Sequence, residues 1–245
     1  MKLNKLMQLL RDNARADTAA PAIRSEVTDD ATHIYVYDVI DSYWGASAAT
    51  LVTALAAAAD KPVHLHINSP GGDVFEARAM AAAIVAHGGS VTAHIDGVCA
   101  SAATYLALSC NEVRMTQGGL FMVHNSWTFA MGDRTSLRST ADLLEKIDGT
   151  IAADYVRKTG ASAEQVATWM NAETWFTAEE ALAAKFIDAV DANTKAGEGE
   201  QAKWNLSAYA NAPAAKDMAP TEPDLAAQVT QQLQLNRNRL KLFQI

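Results

Sequence analysis

The run Val63-His64-Leu65-His66-Ile67, followed at once by Asn68-Ser69-Pro70-Gly71-Gly72 and then by Val74 to His87, constrains this chain more than any other feature. Its first five residues alternate apolar and polar side chains, the period-two signature of a strand. The Asn-Ser-Pro-Gly-Gly run ends that strand in a sharp turn, and the stretch beyond it is helical. The unit recurs along the chain. His33 to Ile40 is a β-branched and aromatic strand candidate, and Ser47 to Ala59 reads as the helix after it. Val91 to Ile95 is a third strand, and past Asp96-Gly97 the small and apolar residues Cys99 to Leu108 suit a buried helix. Glu112 to Met115 and Leu120 to His124 are two more short strands. Repeated strand and helix units predict parallel pairing with right-handed crossovers, hence an α/β fold.

Beyond Arg134 a long amphipathic stretch runs to about Thr159, and Gly160 ends it. Two further helices are predicted, Ser162 to Met170 and Thr177 to Ala184, the second opened by a capping-box spacing of Thr177 and Glu180. Residues 1–28 read as a short amphipathic segment and a polar connector broken by Pro21, a candidate for processing. The expected globular domain is 29–191. After Asp191 the composition turns to Ala, Gly, Glu, Lys and scattered Pro, so 192–245 is expected to be a linker, not packed on the domain, with a C-terminal helical tail from Asp224.

Bulk composition removes several function classes. Hydrophobic residues are 49% and charged residues 20%, which suits a globular core. With 28 acidic against 20 basic side chains the net charge is -8, the wrong sign for a nucleic-acid footprint. No apolar run is long enough for a membrane span or a secretory core. Cys99 and Cys110 are too few for a disulfide framework and have no metal-ligand spacing, so a reducing cytoplasm is the simplest setting.

Ser101 sits among small residues in Gly97-Val98-Cys99-Ala100-Ser101-Ala102-Ala103, where a carbonyl could approach a hydroxyl at a helix start. This is not the G-x-S-x-G elbow, because positions 99 and 103 are cysteine and alanine. Adjacent Gly71 and Gly72 let backbone amides face a ligand with no Cβ in the way. His124 ends a strand and can project into a cleft. The bland readings are a packing serine, strand-face histidines at His64 and His66, a small buried thiol at Cys99, and packing at Trp127, Trp169 and Trp175.

Four blocks tip the balance for Ser101 and His124. Ile67-Asn68-Ser69-Pro70-Gly71-Gly72, Gly97 to Ala103, Met122-Val123-His124-Asn125, and Phe176-Thr177-Ala178-Glu179-Glu180-Ala181 resemble, in order and spacing, the signature blocks of ClpP peptidases. His124 to Asp133, with Glu173-Thr174-Trp175-Phe176-Thr177, further resembles the ClpP-related head maturation (prohead) proteases of tailed phages and prophages. The resemblance implies a ClpP/crotonase-type spiral of β-β-α units with a protruding helical handle at about 134–159, assembled as a homo-oligomeric ring. It implies Ser101 as nucleophile, His124 as base and Glu173, in place of the usual Asp, as the third triad member, with Asn171 as a substitute and Asp188 structural. It also implies an oxyanion hole of the Gly72 and Ala102 amides, and a substrate groove at Gly71, Asn125, Ser126, Trp127 and Thr128. No metal and no cofactor is implied, and the chain has no phosphate-binding loop, so any ATPase would be a separate chain. The expected partner is a polypeptide substrate, capsid or scaffold protein, with self-cleavage included, in a host cytoplasm or an assembling prohead. The rivals are a crotonase-like acyl-CoA enzyme and a catalytically silent ring or scaffold component.

Overall fold

The computed structural model describes residues 5–13, 21–192 and 204–213. Its elements in order are α1 Lys5–Asp12, β1 Ile23–Val27, β2 Thr32–Val36, α2 Ala48–Ala58, β3 Val63–Ser69, α3 Val74–Ala86, β4 Val91–Ala100, α4 Ala103–Leu108, β5 Glu112–Thr116, β6 Leu120–Val123, α5 Arg134–Thr159, α6 Ala163–Asn171, β7 Thr174–Thr177, α7 Ala178–Ala183 and β8 Ala189–Asp191. The main sheet runs β1-β2-β3-β4-β5-β8, and β6 joins it through β4 and carries β7. Every pairing is parallel except β1 with β2 and β6 with β7. This is the α/β architecture with a mostly parallel sheet that the strand and helix units predict.

Two strands lie where none was expected. Residues 23–27, read as part of a connector, pair antiparallel with β2 along their whole length. Residues 174–177, for which no strand was predicted between the two helices, pair antiparallel with β6. Neither strand alternates apolar with polar residues clearly enough to announce itself, since only Ile23 of β1 and Phe176 of β7 are buried. In the other direction, β4 continues to Ala100, so the segment expected as a helix from Cys99 is strand up to the nucleophile candidate and helix only from Ala103.

β4 is the central strand, and it changes partners part-way along. Thr92 to Ile95 pair with β5, whereas Val98 to Ala100 pair with β6. The break falls at Asp96-Gly97, where a Cβ on Gly97 would stand 2.8 Å from Asn68 Oδ1. Asn68 uses that oxygen to accept the Val98 amide at 3.0 Å. The helices are fastened at their starts by side-chain caps: Ser47 on α2, Asp73 on α3, Asp133 on α5, Ser162 on α6, and a Thr177–Glu180 capping box on α7. Gly160, left-handed at φ 71°, ends α5. Only the last turns of α5 fully bury side chains, at Ile151, Tyr155 and Thr159, while those of its first half are exposed or half-buried.

β3 shows how the two faces of the sheet divide. Val63, Leu65 and Ile67 are buried in the main core, while His64 and His66 stay half-buried on the other face. There they meet His33 from β2 and His94 from β4. His33 Nδ1 lies 3.2 Å from His66 Nε2, and His64 Nδ1 lies 2.9 Å from His94 Nε2. His66 Nδ1 is 2.8 Å from Asp96, which also accepts the Tyr37 hydroxyl, and His94 is 3.9 Å from Asp191, the carboxylate that holds Arg114. Among the described residues no group of three or more His, Cys, Asp or Glu could hold a metal ion.

Burial first, and then the neighbouring imidazoles His33 and His66, lower the pKa of His64. Burial first, and then His66 and His64, lower that of His94 to about 4, against the opposing pull of Asp96 and Asp191. Both values lie below the ordinary 6.5 expected in the unfolded chain. The unfolded chain therefore binds protons that the folded face refuses, and stability, complete above pH 6.5, falls as the pH drops from there toward 4. For His94 the loss is no more than about 3 kcal/mol. Denaturant melts from pH 8 to 4.5 should show this decline, and His94→Gln should flatten it; an unchanged slope would contradict the assignment.

Candidate active site

The bend in β4 delivers Ser101 to the joint between the main sheet and the β6–β7 pair. The Ser101 amide donates to the Met122 carbonyl at 2.9 Å, one step past the last β4–β6 partners. Ser101 itself takes φ 55°, a left-handed conformation that costs a non-glycine residue about 1 kcal/mol. That turn lifts its hydroxyl out of the sheet, between the end of β4 and the start of α4. His124 follows directly on β6 and is 8% exposed. Its Nε2 lies 2.6 Å from Ser101 Oγ, so the two residues, 23 apart in sequence, form a hydrogen-bonded pair.

The Gly71-Gly72 turn presses on the same spot. A Cβ on Gly71 (φ 89°) would stand 2.9 Å from Ser101 Cβ and 3.0 Å from the Ala102 nitrogen. One on Gly72 (φ 150°) would stand 2.1 Å from the Ile40 carbonyl oxygen. Only glycine fits either position. The turn is held by the Ile40 amide on the Gly71 carbonyl (2.8 Å) and the Asp73 amide on the Ile40 carbonyl (2.9 Å), bonds that do not draw on the Gly72 amide. Ser69 steadies it from behind, donating to the Asp38 carbonyl at 2.6 Å and accepting the Gly71 amide at 3.2 Å.

A cleft opens in front of this pair, lined by Gly72, Val74, Phe75, His124, Ser126, Trp127 and Thr128, with Leu143 and Ile147 of α5 forming its far wall. Residues 126–133, which the resemblance matches to a substrate-binding strand, run without regular secondary structure. The Ser126 amide is anchored to Asp148 of α5 at 2.6 Å. Asn125 Nδ2 donates to Asn171 Oδ1 at 2.7 Å, so Asn171 is engaged with the loop after His124.

Glu173 stands at the entrance to β7. The β6–β7 register ends with Val123 on Thr174, so His124 and Glu173 are the residues that flank the last pair, Glu173 with a left-handed backbone at φ 48°. The Glu173 carboxylate accepts the amides of Asn211 (2.7 Å) and Ala210 (3.1 Å), with the Trp175 indole nitrogen at 3.5 Å. Asp188 takes the Val113 amide at 2.8 Å and Lys158 at 2.9 Å, a structural clamp between β5 and α5. Cys99 is fully buried, and burial pushes its thiol far above the ordinary range, so it has no thiolate to offer.

Residues 204–213 correct the expectation that everything past 191 stands clear of the domain. Trp204, Ala208 and Tyr209 are buried, the last two in a small cluster with Leu9, Ala100 and Met122. The Trp204 indole donates to Asn68 at 2.8 Å, and the Tyr209 hydroxyl donates to the Pro70 carbonyl. The only sequence signal for this docking is two aromatic residues five apart in a stretch otherwise nearly free of them. The helical tail expected from Asp224 lies outside the described residues.

Residues 18–194, more than half of the chain, match the family model described as Clp protease. The chain is 28% identical over 189 residues to ATP-dependent Clp protease proteolytic subunit 1 of Protochlamydia amoebophila, covering 71% of this chain and 90% of the relative. It is 27% identical over 153 residues to proteolytic subunit 2 of Bifidobacterium longum, covering 62% and 74%, and 28% identical over 137 residues to the proteolytic subunit of Streptococcus gordonii, covering 54% and 70%. A mostly parallel α/β sheet and these relatives define the class: a peptidase, a hydrolase of peptide bonds. The chain belongs to the Clp protease family.

The left-handed backbone at Ser101 gives a test in which activity and stability part company. Ser101→Gly should melt higher than Ser101→Ala, by about 1 kcal/mol, because only glycine takes φ 55° without strain. Gly72→Ala should instead lower stability by more than about 1 kcal/mol, since its Cβ has no room. Parallel denaturant titrations of the three variants decide both points.

Proposed function

We propose that this chain is a ClpP-type serine endopeptidase that needs no ATP for its own chemistry, and that its biological task is head maturation in a phage or prophage, cleaving capsid or scaffold protein and its own termini. The observation that carries the catalytic reading is the 2.6 Å contact between Ser101 Oγ and His124 Nε2, in front of the Gly71-Gly72 turn. A hydroxyl becomes nucleophilic when an adjacent imidazole takes its proton, and amides facing the developing charge supply the rest.

The reaction follows from those positions. An extended polypeptide lies along 125–128, a segment outside the regular strands whose Ser126, Trp127 and Thr128 line the cleft beside Ser101. Ser101 Oγ attacks the scissile carbonyl carbon as its proton passes to His124 Nε2. The carbonyl oxygen becomes an oxyanion held by the Gly72 and Ala102 amides. The C–N bond breaks when His124 returns the proton to the leaving amine, and a water deprotonated by His124 then releases the acyl group from Ser101. Glu173 is the third member in this reading, supported by the resemblance and by its place next to Thr174, the last β7 partner of β6, as His124 is next to Val123.

The likeness to proteolytic subunits supports a ring of copies enclosing the sites, and the motif at His124 to Asp133 supports the phage setting with capsid or scaffold protein as substrate. Among the described residues no helix is long and apolar enough to cross a membrane. A crotonase-like acyl-CoA enzyme would use the two amides but leaves the Ser101–His124 contact without a task.

A fluorophosphonate probe should label the wild-type chain at Ser101, while Ser101→Ala takes up none and His124→Ala reacts slower by about 10³-fold or more. Intact-mass spectra after co-expression with the capsid and scaffold proteins should show cleavage with wild type and none with Ser101→Ala. Equal processing by both would sink the peptidase reading; labelling without capsid cleavage would sink only the head-maturation part.

A further inference from the structure

The segment 204–212 lies beyond the family match, which stops at residue 194, yet it reaches three separate parts of the site. Trp204 donates to Asn68, the residue that also holds the bend of β4 through the Val98 amide. The Tyr209 hydroxyl donates to the Pro70 carbonyl, immediately before the glycine turn. The amides of Ala210 and Asn211 hold the Glu173 carboxylate, and Asn211 Nδ2 donates to the Ala172 carbonyl at 2.7 Å, fixing the backbone beside it.

Between these anchors the Tyr209 ring fills the space behind the base. It meets the His124 imidazole edge-on, with centroids 5.5 Å apart and planes at 78°, and meets Trp175 in the same manner at 5.7 Å. The cleft lies elsewhere, since neither Tyr209 nor any other residue of the segment lines it. The segment therefore does not occupy the substrate's place. It is secured on its outer side by α1, where Asn13 and Asn205 exchange bonds of 2.6 and 3.1 Å and Gln8 reaches Ser207 at 3.2 Å.

We propose that residues 204–212 are a strap completing the active site, with Tyr209 as a positioning residue that holds His124 and the Pro70-Gly71-Gly72 turn at fixed distance from each other. Tyr209 stays a donor across the working pH range because burial raises its phenol, and the nearby Ser101 hydroxyl opposes this only in part. Its ring bars the imidazole from swinging back off Ser101, and its hydroxyl stops the turn from drifting away from the oxyanion position. A site of this kind loses rate steeply with small displacements. Removing the hydroxyl should therefore lower turnover and leave binding in the cleft intact.

This inference rests on the serine-peptidase reading, and the experiment separates the two. In the full-length protein, wild type, Tyr209→Phe, Tyr209→Leu and Ser101→Ala are compared for fluorophosphonate labelling, for kcat and KM on an unfolded protein substrate, and for melting temperature. The expected result is a drop in kcat of about tenfold for Tyr209→Phe and more for Tyr209→Leu, each with KM within about twofold of wild type. A purely structural role would leave the pH profile of kcat/KM in place, whereas loss of positioning moves its acid limb, because the base it reports is no longer held on Ser101. Tyr209→Phe keeps the packed ring, so it remains informative if Tyr209→Leu does not fold. Turnover equal to or above wild type in Tyr209→Phe overturns the proposal, an increase marking the strap as an inhibitor instead. Failure of wild type itself to label at Ser101 overturns the peptidase reading beneath it.

Discussion

The site depends on β4 exchanging one partner strand for another at Gly97. Up to Ile95 the strand is an ordinary member of the parallel sheet, with β3 on one side and β5 on the other. After Gly97 its β5 side is given to β6, and the ladder continues as far as the Ser101 amide on Met122. A buried ladder leaves little freedom, because each unmade backbone bond is costly. The nucleophile candidate is thus placed by hydrogen bonds of the strand before it and of β6, and the base candidate directly follows Val123, the last residue of β6. Two side chains that must lie within 2.6 Å are fixed to the two strands of one ladder.

The same strands explain why one face of the sheet is apolar and the other is crowded with imidazoles. Parallel strands covered by helices on one side bury that side as a continuous core, here Val63, Leu65, Ile67, Ala93 and Ile95. The remaining face keeps polar groups, and they satisfy one another: His33 with His66, His64 with His94, Asp96 with Tyr37 and His66. At His64 and His94 an added proton would face both burial and a neighbouring ring. This face lies on the earlier part of the strands, while Ser101 lies past the end of β4, so acid sensitivity of the fold and chemistry at the site arise from different stretches of the same elements.

Segments far apart in sequence complete what the sheet begins. Leu9 from α1 and Ala208 and Tyr209 from the far end of the described chain form a cluster with Ala100 and Met122, the residues just before Ser101 and two before His124. That second cluster is small, but it covers the side of the dyad opposite the cleft. The cleft in front of Ser101 and His124, lined by Ser126 to Thr128, takes none of these residues into its walls.

Much of this was legible in the amino-acid order. The strand, turn and helix at 63–87, the capping box of Thr177 and Glu180 and the stop at Gly160 follow from local periodicity and turn chemistry, and the pairing of Ser101 with His124 rests on the resemblance of four sequence blocks to ClpP peptidases. These are properties of neighbouring residues, which the chain carries whatever its tertiary fold. What only the three-dimensional structure decided were contacts between distant segments: β1 on β2, β7 on β6, the fork in β4, and the return of 204–212 to the site. None of these has a local signature, because an edge strand with one buried residue or a Trp and a Tyr in a polar stretch owes its place to the surface it finds, and that surface exists only once the rest has folded.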